Sequence, residues 1–187
     1  MSTIETVKPK NQQLEKALVN LIQGIKKEPN QANAVFKAKS SLEDGFLAEV
    51  KIRDFNFQSD EPEELGGTNL GPNPVEYVLG AFAACQEIVI QAYATVLGID
   101  VVSVHVDVEG DVDLHGFLNL SDARAGFTDV RYKTVIETNE TDQDKLKQLE
   151  HFSVRRCPVL DIIRNPVPLE GSVSFKKTGV NPDGLKS

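Results

Sequence analysis

The sequence predicts an α+β fold with a mainly antiparallel sheet, and three observations lead to this prediction. Strand-like segments come in pairs, in the order helix, two or three strands, helix, two strands, helix, strand. The dipeptide Asp44-Gly45 between two apolar stretches is a strong signal for a tight hairpin turn. Two long helical segments separate the strand pairs, whereas a parallel sheet would alternate single strands with helices.

The first helical segment stands apart from the rest of the chain. Residues 11–27 carry apolar side chains at helical spacing, and Pro29 prevents the helix from continuing. The apolar positions are Leu14, Leu18, Leu21, Ile22 and Ile25. We therefore expect an N-terminal helical extension over residues 1–32 and a main domain over residues 33–187.

Strands are predicted in four regions of the main domain. These are a hairpin or meander over 34–59 and strands over 101–109, 130–138 and 171–177. In the second region valines alternate with polar residues, which predicts a half-buried strand with Val102, Val104, Val106 and Val108 on one face. Two long loops are expected, over 60–73 and 110–129, and loops of this length are often functional.

Two helices are predicted to be central. One covers 74–97, with Asn73 as N-cap, Pro74 at the first helical position and Gly98 as terminator. The other runs from Asp142 to about residue 156 and continues as a short turn over 158–164. We expect Leu146, Leu149 and Phe152 to face inward from it.

Composition excludes some classes of function. The formal net charge of −8 argues against non-specific binding to nucleic acid or to an anionic membrane, since both need a positive field. The N-terminal residues lack a signal-peptide pattern, and no uninterrupted apolar run approaches the ~18 residues of a membrane span. We expect a cytoplasmic protein whose thiols are normally reduced.

The two cysteines are the best candidates for chemistry. Cys157 precedes Pro158, which places it at or near a helix N-cap, where backbone N–H groups favour a thiolate. Cys85 lies about three turns inside the first central helix. If these helices pack face to face, the thiols can meet and cycle between dithiol and disulfide. The plainer alternatives are a small buried hydrophobe for Cys85 and a filled helix kink for Cys157.

Other chemistries find little support in the sequence. The chain has no C-x-x-C motif and no nucleotide-binding glycine motif. His105, His115 and His151 show no metal-ligand spacing with the cysteines. We therefore expect no metal and no cofactor.

A guanidinium held by a carboxylate would help to activate a cysteine nucleophile. The candidate arginines are Arg53, Arg155 and Arg156, and the candidate carboxylate is Glu76. Glu76 also completes an N-x-x-E capping box that starts at Asn73, and the two roles are compatible.

The segment "GGTNLGPNPVEYVLGAFAACQ", followed about seventy residues later by "RRCPVLDIIRNPVP", resembles the OsmC/Ohr family of osmotically induced and organic-hydroperoxide-resistance proteins, in particular its OsmC-like branch. The resemblance spans roughly residues 35–176. It implies an OsmC-like fold in which mainly antiparallel sheets wrap around two cysteine-bearing helices in an intertwined homodimer.

The resemblance also implies a thiol-dependent peroxidase for organic hydroperoxides or hydrogen peroxide. Cys85 would be the peroxidatic thiol and Cys157 the resolving thiol, and an external dithiol such as a lipoyl protein would reduce the disulfide. In the family's peroxidases a glutamate follows the helix-starting proline and an arginine lies on the first hairpin. Here Val75 takes the first position, with Glu76 one step later, and the hairpin has Glu43, so Arg53 is the substitute.

The alternatives are an OsmC-fold dimer that binds a small hydrophobic ligand with little peroxidase activity, and another thiol chemistry such as acyl or persulfide transfer or redox sensing.

Overall fold

The computed structural model describes residues 9–176, which form five helices, five strands and two short 3-10 turns. The helices are α1 (Pro9–Lys27), α2 (Pro74–Leu97), α3 (Leu114–Phe117), α4 (Gln143–Arg155) and α5 (Pro158–Arg164). The strands are β1 (Lys39–Asp44), β2 (Leu47–Ile52), β3 (Phe55–Ser59), β4 (Val101–Val112) and β5 (Phe127–Thr138). The α+β class is confirmed, because both sheets are antiparallel and helices separate them.

The first sheet is a meander in the order β1-β2-β3. The turn between β1 and β2 contains Gly45 with a φ of 54°, a left-handed conformation that glycine adopts without steric cost. The hairpin predicted from Asp44-Gly45 is therefore confirmed. Of the two possibilities for residues 34–59, a hairpin or a meander, the structure has the three-stranded meander.

The second sheet pairs β4 with β5 along their length. Val104, Val106 and Val108 are half-buried, as the alternation predicts. The prediction was wrong for Val102, which is 55% exposed. The ladder is irregular between Val101 and Ser103, and this local shift places Val102 out of step with the other valines.

Two other sequence predictions need correction. The loop predicted over 110–129 is shorter, because β4 extends to Val112, β5 begins at Phe127 and α3 lies between them. The strand predicted over 171–177 is not formed in its described part, where Val173 and Phe175 are 84% and 95% exposed. A strand needs a neighbour for its backbone N–H and C=O groups, and residues 9–176 supply none here. Lys177, the last residue of the predicted strand, lies outside the described residues.

The core is centred on α2, which packs against β4 and α4 and also contacts α5 and α1. One cluster of buried residues consists of Ile90, Ala94, Ile99 and Leu149. A second consists of Phe82, Cys157 and Leu160. The second cluster contains Cys157, so the candidate site lies within the hydrophobic core.

The composition of α2 also bears on the membrane question. With 24 residues and few charges, α2 is long and apolar enough to cross a membrane by length and composition alone. This is weak evidence, because the central helix of a soluble domain has the same composition. Polar residues such as Glu76, Gln86 and Glu87 interrupt the apolar runs of α2, so the length of such runs does not reveal this property.

Candidate functional site

The structure brings the two cysteine thiols together. The Sγ atoms of Cys85 and Cys157 lie 3.3 Å apart, and both residues are free thiols. A covalent S–S bond is about 2.05 Å long, so the pair is in contact without being bonded. The two residues are 72 positions apart in sequence, and the packing of α2 against α4 and α5 is what makes them neighbours.

Helix α2 positions Cys85. Its N-terminus is a complete capping box: the Glu76 N–H donates to Asn73 Oδ1 at 2.9 Å, and the Asn73 N–H donates to Glu76 Oε2 at 2.8 Å. Its C-terminus is closed by Gly98, whose φ of 66° is left-handed. The predicted N-cap, capping box and terminator are all confirmed, and they leave Cys85 near the middle of a well-defined helix.

The start of α5 positions Cys157. Pro158 occupies the first helical position, and Cys157 is the N-cap with extended φ and ψ of −81° and 111°. The Leu160 N–H donates to Cys157 Sγ at 3.5 Å. The N-cap position predicted from the Cys-Pro dipeptide is confirmed.

The surroundings of the two thiols are apolar. Phe82 and Leu160 are buried beside Cys157, and Tyr132 packs edge-on against Phe82 with ring centroids 4.9 Å apart. Cys85 lies at the margin of this cluster and is half-buried, whereas Cys157 is only 1% exposed. A small molecule from solvent therefore reaches Cys85 more easily than Cys157.

The electrostatics of Cys157 reflect this burial. Desolvation raises the pKa of the Cys157 thiol, and the adjoining Cys85 acts in the same direction, while the Leu160 N–H lowers it. Burial is the largest of these effects, so the neutral thiol is favoured at Cys157. The N-cap position alone therefore does not favour a thiolate at Cys157, because burial outweighs the Leu160 N–H.

One chain does not bring Glu76 or Arg53 to the thiols. Glu76 precedes Cys85 by nine residues, which is about 13 Å along the axis and half a turn around the helix, and its carboxylate is engaged in the capping box. Arg53 lies in the turn between β2 and β3 with a φ of 56°, and its Cζ is 5.1 Å from the Phe55 ring centroid. The described residues give neither side chain an ion-pair partner within 4 Å.

The other two candidate arginines flank the second thiol in sequence. Arg155 closes α4 and Arg156 is its C-cap. Both side chains are exposed at the corner that leads into Cys157.

Sequence reasoning missed Gln86, which follows Cys85 directly. Its side chain is 1% exposed, and its Nε2 donates to the Ser153 carbonyl oxygen at 3.1 Å. A polar residue inside the apolar stretch of α2 was the available signal. Phe82 and Tyr132 were also missed, because aromatic residues at core spacing do not reveal which side chain they will cover.

The fold and these contacts define an α+β protein with two facing thiols on neighbouring helices, an arrangement suited to dithiol–disulfide chemistry. The chain belongs to the OsmC-like protein family: the family model matches residues 67–172, which is more than half of the sequence. The family resemblance read from the two motifs is thereby confirmed.

Solved structures of this family have the same fold. An OsmC-like protein from Mycoplasma pneumoniae is 18% identical, with a TM-score of 0.61 over 72% of this chain and 90% of that one. An organic hydroperoxide resistance protein OsmC from Legionella pneumophila is 24% identical, with a TM-score of 0.52 over 70% and 90%. One from Elizabethkingia anophelis, also an organic hydroperoxide resistance protein, is 17% identical, with a TM-score of 0.53 over 72% and 91%. Comparison with curated protein sequences gave no match.

Proposed function

We propose that this protein is a thiol-dependent peroxidase that reduces organic hydroperoxides or hydrogen peroxide in defence against oxidative stress. The observation that carries the proposal is the 3.3 Å separation of Cys85 Sγ and Cys157 Sγ at the centre of the fold. Membership of the OsmC-like family, and fold neighbours named as organic hydroperoxide resistance proteins, support a role related to peroxides.

The first step uses the more accessible thiol. The Cys85 thiolate attacks one peroxide oxygen, the O–O bond breaks, and the other oxygen leaves with a proton as an alcohol or water. Cys85 becomes a sulfenic acid. The half-buried position of Cys85 admits a peroxide, and its apolar neighbours favour one with a hydrocarbon substituent.

The second step uses the enclosed thiol. Cys157 sulfur attacks Cys85 sulfur, an S–S bond forms, and the sulfenic oxygen leaves as water. The sulfurs start 3.3 Å apart, so little movement is needed. An external dithiol, such as a lipoyl protein, then supplies two electrons and two protons and restores both thiols. We place this cycle in the cytoplasm, where dithiol reductants are abundant.

The proposal includes a homodimer in which the second subunit completes the site. We assign the activating guanidinium to Arg53 of the partner subunit, with Glu76 as the carboxylate that orients it. The support is that Arg53 lies on an exposed turn, where its Cζ is 5.1 Å from the Phe55 ring centroid and no carboxylate of the described residues lies within 4 Å. Exposed apolar side chains on the meander, such as Leu42 (69%) and Phe55 (62%), are consistent with burial against a second copy.

Steady-state turnover tests this function. Consumption of an organic hydroperoxide is followed with dihydrolipoamide as reductant, for the wild type, Cys85→Ser and Cys157→Ser. We expect turnover in the wild type, none above background in Cys85→Ser, and inactivation within a few turnovers in Cys157→Ser, since an unresolved sulfenic acid over-oxidises. Equal rates in the wild type and Cys85→Ser would overturn the proposal.

A second candidate function is the binding of a small hydrophobic molecule. A cavity of about 460 Å³ lies between the meander and the start of α2, and neither thiol lines it. Its apolar lining consists of Phe46, Ala48, Val50, Phe57, Pro74 and Tyr77. This function predicts that Cys85→Ser binds an apolar fluorescent probe as tightly as the wild type and that Phe57→Ser binds it more weakly. Equal binding by Phe57→Ser would argue against this cavity.

A further inference from the structure

We propose that Gln86 is a positioning residue that holds the Cys157 thiol at reacting distance from Cys85. The inference rests on the cysteine pair of the proposed function and assigns a role to a residue outside that pair. Gln86 acts through one side-chain hydrogen bond. This bond joins α2, which carries Cys85, to α4, which precedes Cys157.

The position of Gln86 in α2 is unusual for its chemistry. The buried residues of this helix form one stripe at four-residue spacing, and Gln86 is its only polar member. The stripe consists of Phe82, Gln86, Ile90 and Ala94. Burying an amide is costly unless it is hydrogen-bonded, so the bond of Gln86 Nε2 to the Ser153 carbonyl compensates for its burial.

The acceptor lies at the end of α4. The carbonyls of the last helical turn have no helical N–H partner. The Arg156 N–H, which caps α4, donates to the Phe152 carbonyl at 2.9 Å. The next carbonyl is that of Ser153, and Gln86 supplies its donor at 3.1 Å. Gln86 therefore caps α4 from α2, at the point where the chain leaves the helix toward Cys157.

This bond links the two backbones close to both sulfurs. Gln86 is adjacent to Cys85, and Ser153 precedes Cys157 by four residues. Forming the disulfide requires the sulfurs to close from 3.3 Å to about 2.05 Å. A tether at this point limits how far the α4–α5 corner can drift from α2. It thereby raises the effective concentration of the Cys157 thiol at Cys85.

The test measures the thiol–disulfide equilibrium without peroxide. The wild type, Gln86→Met and Gln91→Met are equilibrated in dithiothreitol redox buffers and trapped by alkylation, and disulfide is quantified by mass. Methionine keeps the length of glutamine but cannot donate. Gln91 is the matched control, because its Nε2 bonds to Thr95 Oγ1 at 3.3 Å within α2. In Gln86→Met we expect the equilibrium constant for the disulfide to fall about tenfold, which is a potential about 30 mV less negative, and in Gln91→Met no change.

A kinetic readout accompanies the equilibrium. After one equivalent of hydroperoxide, Gln86→Met is expected to close the disulfide about tenfold more slowly, while sulfenic acid forms at the wild-type rate. In excess hydroperoxide it is expected to give more Cys85 sulfinic acid, because a second hydroperoxide reaches the unresolved sulfenic acid. A variant whose packing alone is disturbed would not slow closure of the disulfide while leaving the rate of sulfenic acid formation unchanged. If Gln86→Met does not fold, Gln86→Asn, whose amide is one methylene short of the carbonyl, takes its place with the same expectations.

Equal disulfide equilibrium constants in a folded Gln86 variant and the wild type would overturn the inference. If the wild type forms the disulfide in redox buffer but does not react with hydroperoxide, the peroxidase function is contradicted. The effect of Gln86 on the disulfide equilibrium would be unaffected by that result.

Discussion

Cys85 and Cys157 are the same side chain in two different environments. Cys157 is enclosed, and burial raises its pKa even though it accepts the Leu160 N–H at a helix start. Cys85 is half-buried and open to a small oxidant. This asymmetry favours an order of reaction in which Cys85 meets the peroxide and Cys157 resolves the product.

Substitution of Arg53 tests the activating group. Arg53→Lys keeps the positive charge but loses the planar fork that can bond a peroxide and a carboxylate together. We expect formation of the Cys85 sulfenic acid to slow about tenfold, as measured by stopped-flow kinetics with a sulfenic-acid probe. Arg124→Lys, in the exposed loop before β5, is the control. Equal rates for the two variants would remove Arg53 from the mechanism.

At the residue scale the sequence predicts some positions well. The N-cap role of Cys157 follows from Pro158, and the capping box follows from the spacing of Asn73 and Glu76, because these are local rules. The contact between Gln86 and Ser153 joins residues 67 positions apart. Such a contact depends on how α2 and α4 pack, which no local pattern contains.

At the scale of elements, the loop between β3 and α2 is organised by one carboxylate. Asp60 is 1% exposed and accepts hydrogen bonds from the Glu61, Thr68 and Leu70 N–H groups and from the Thr68 hydroxyl. The Thr68 hydroxyl and these N–H groups hold the pKa of Asp60 below its usual value, against desolvation, which raises it.

The Asp60 contacts predict a pH dependence of stability. The folded-state pKa is below the unfolded value of about 3.8, so the stabilisation is complete above that pH and is lost as the pH falls through the folded pKa. We expect Asp60→Asn to lower the thermal midpoint at pH 7. We expect the difference in midpoint between this variant and the wild type to narrow as the pH falls below about 3.8. Thermal unfolding by circular dichroism across this range measures it. A gap that does not change with pH would contradict the assignment.

The capping box at the start of α2 also has a measurable effect. Asn73→Ala removes the side-chain acceptor of the Glu76 N–H, and loss of such an N-cap typically lowers the free energy of unfolding by about 1 kcal/mol. Chemical denaturation measures this loss. Asn73→Asp keeps an acceptor and should retain most of the stability. If the alanine and aspartate variants are equally stable, the capping contact is unimportant.

Elements were predicted unevenly. The long helices and the meander follow from periodicity and turn residues, and they match the structure closely. The strand expected over 171–177 does not form in its described part, because strand formation depends on a neighbour as well as on composition. Val173 and Phe175 alternate with polar residues, but they are 84% and 95% exposed, and no described residue covers them.

At the scale of the whole molecule, one chain leaves much of its surface uncovered. Large apolar side chains of the described residues are exposed on it, among them Phe36 (92%) and Val35 (83%). Phe175 is 95% exposed, and Leu169 is 92% exposed. These exposures favour burial of the apolar side chains against a second copy of the chain. The sequence could suggest a dimer only through the family resemblance. The division into an extension over 1–32 and a domain over 33–187 remains a prediction.

Sedimentation equilibrium tests the dimer. We expect a species of twice 20.5 kDa at micromolar concentration. Because an exposed aromatic side chain would be buried between copies, Phe175→Asp should raise the dimer dissociation constant, while Asp129→Asn, at an exposed position of β5, should not. A wild type that sediments as a monomer of 20.5 kDa would contradict the dimer.

The central claim is that Cys85 and Cys157 form a disulfide through a sulfenic acid. Intact-mass measurement after one equivalent of an organic hydroperoxide, added to reduced protein, tests it most directly. The account predicts a rapid loss of about 2 Da in the wild type, a gain of about 16 Da in Cys157→Ser and no change in Cys85→Ser. A reduced wild type whose mass is unchanged over minutes would contradict it, and ligand binding would then become the leading function.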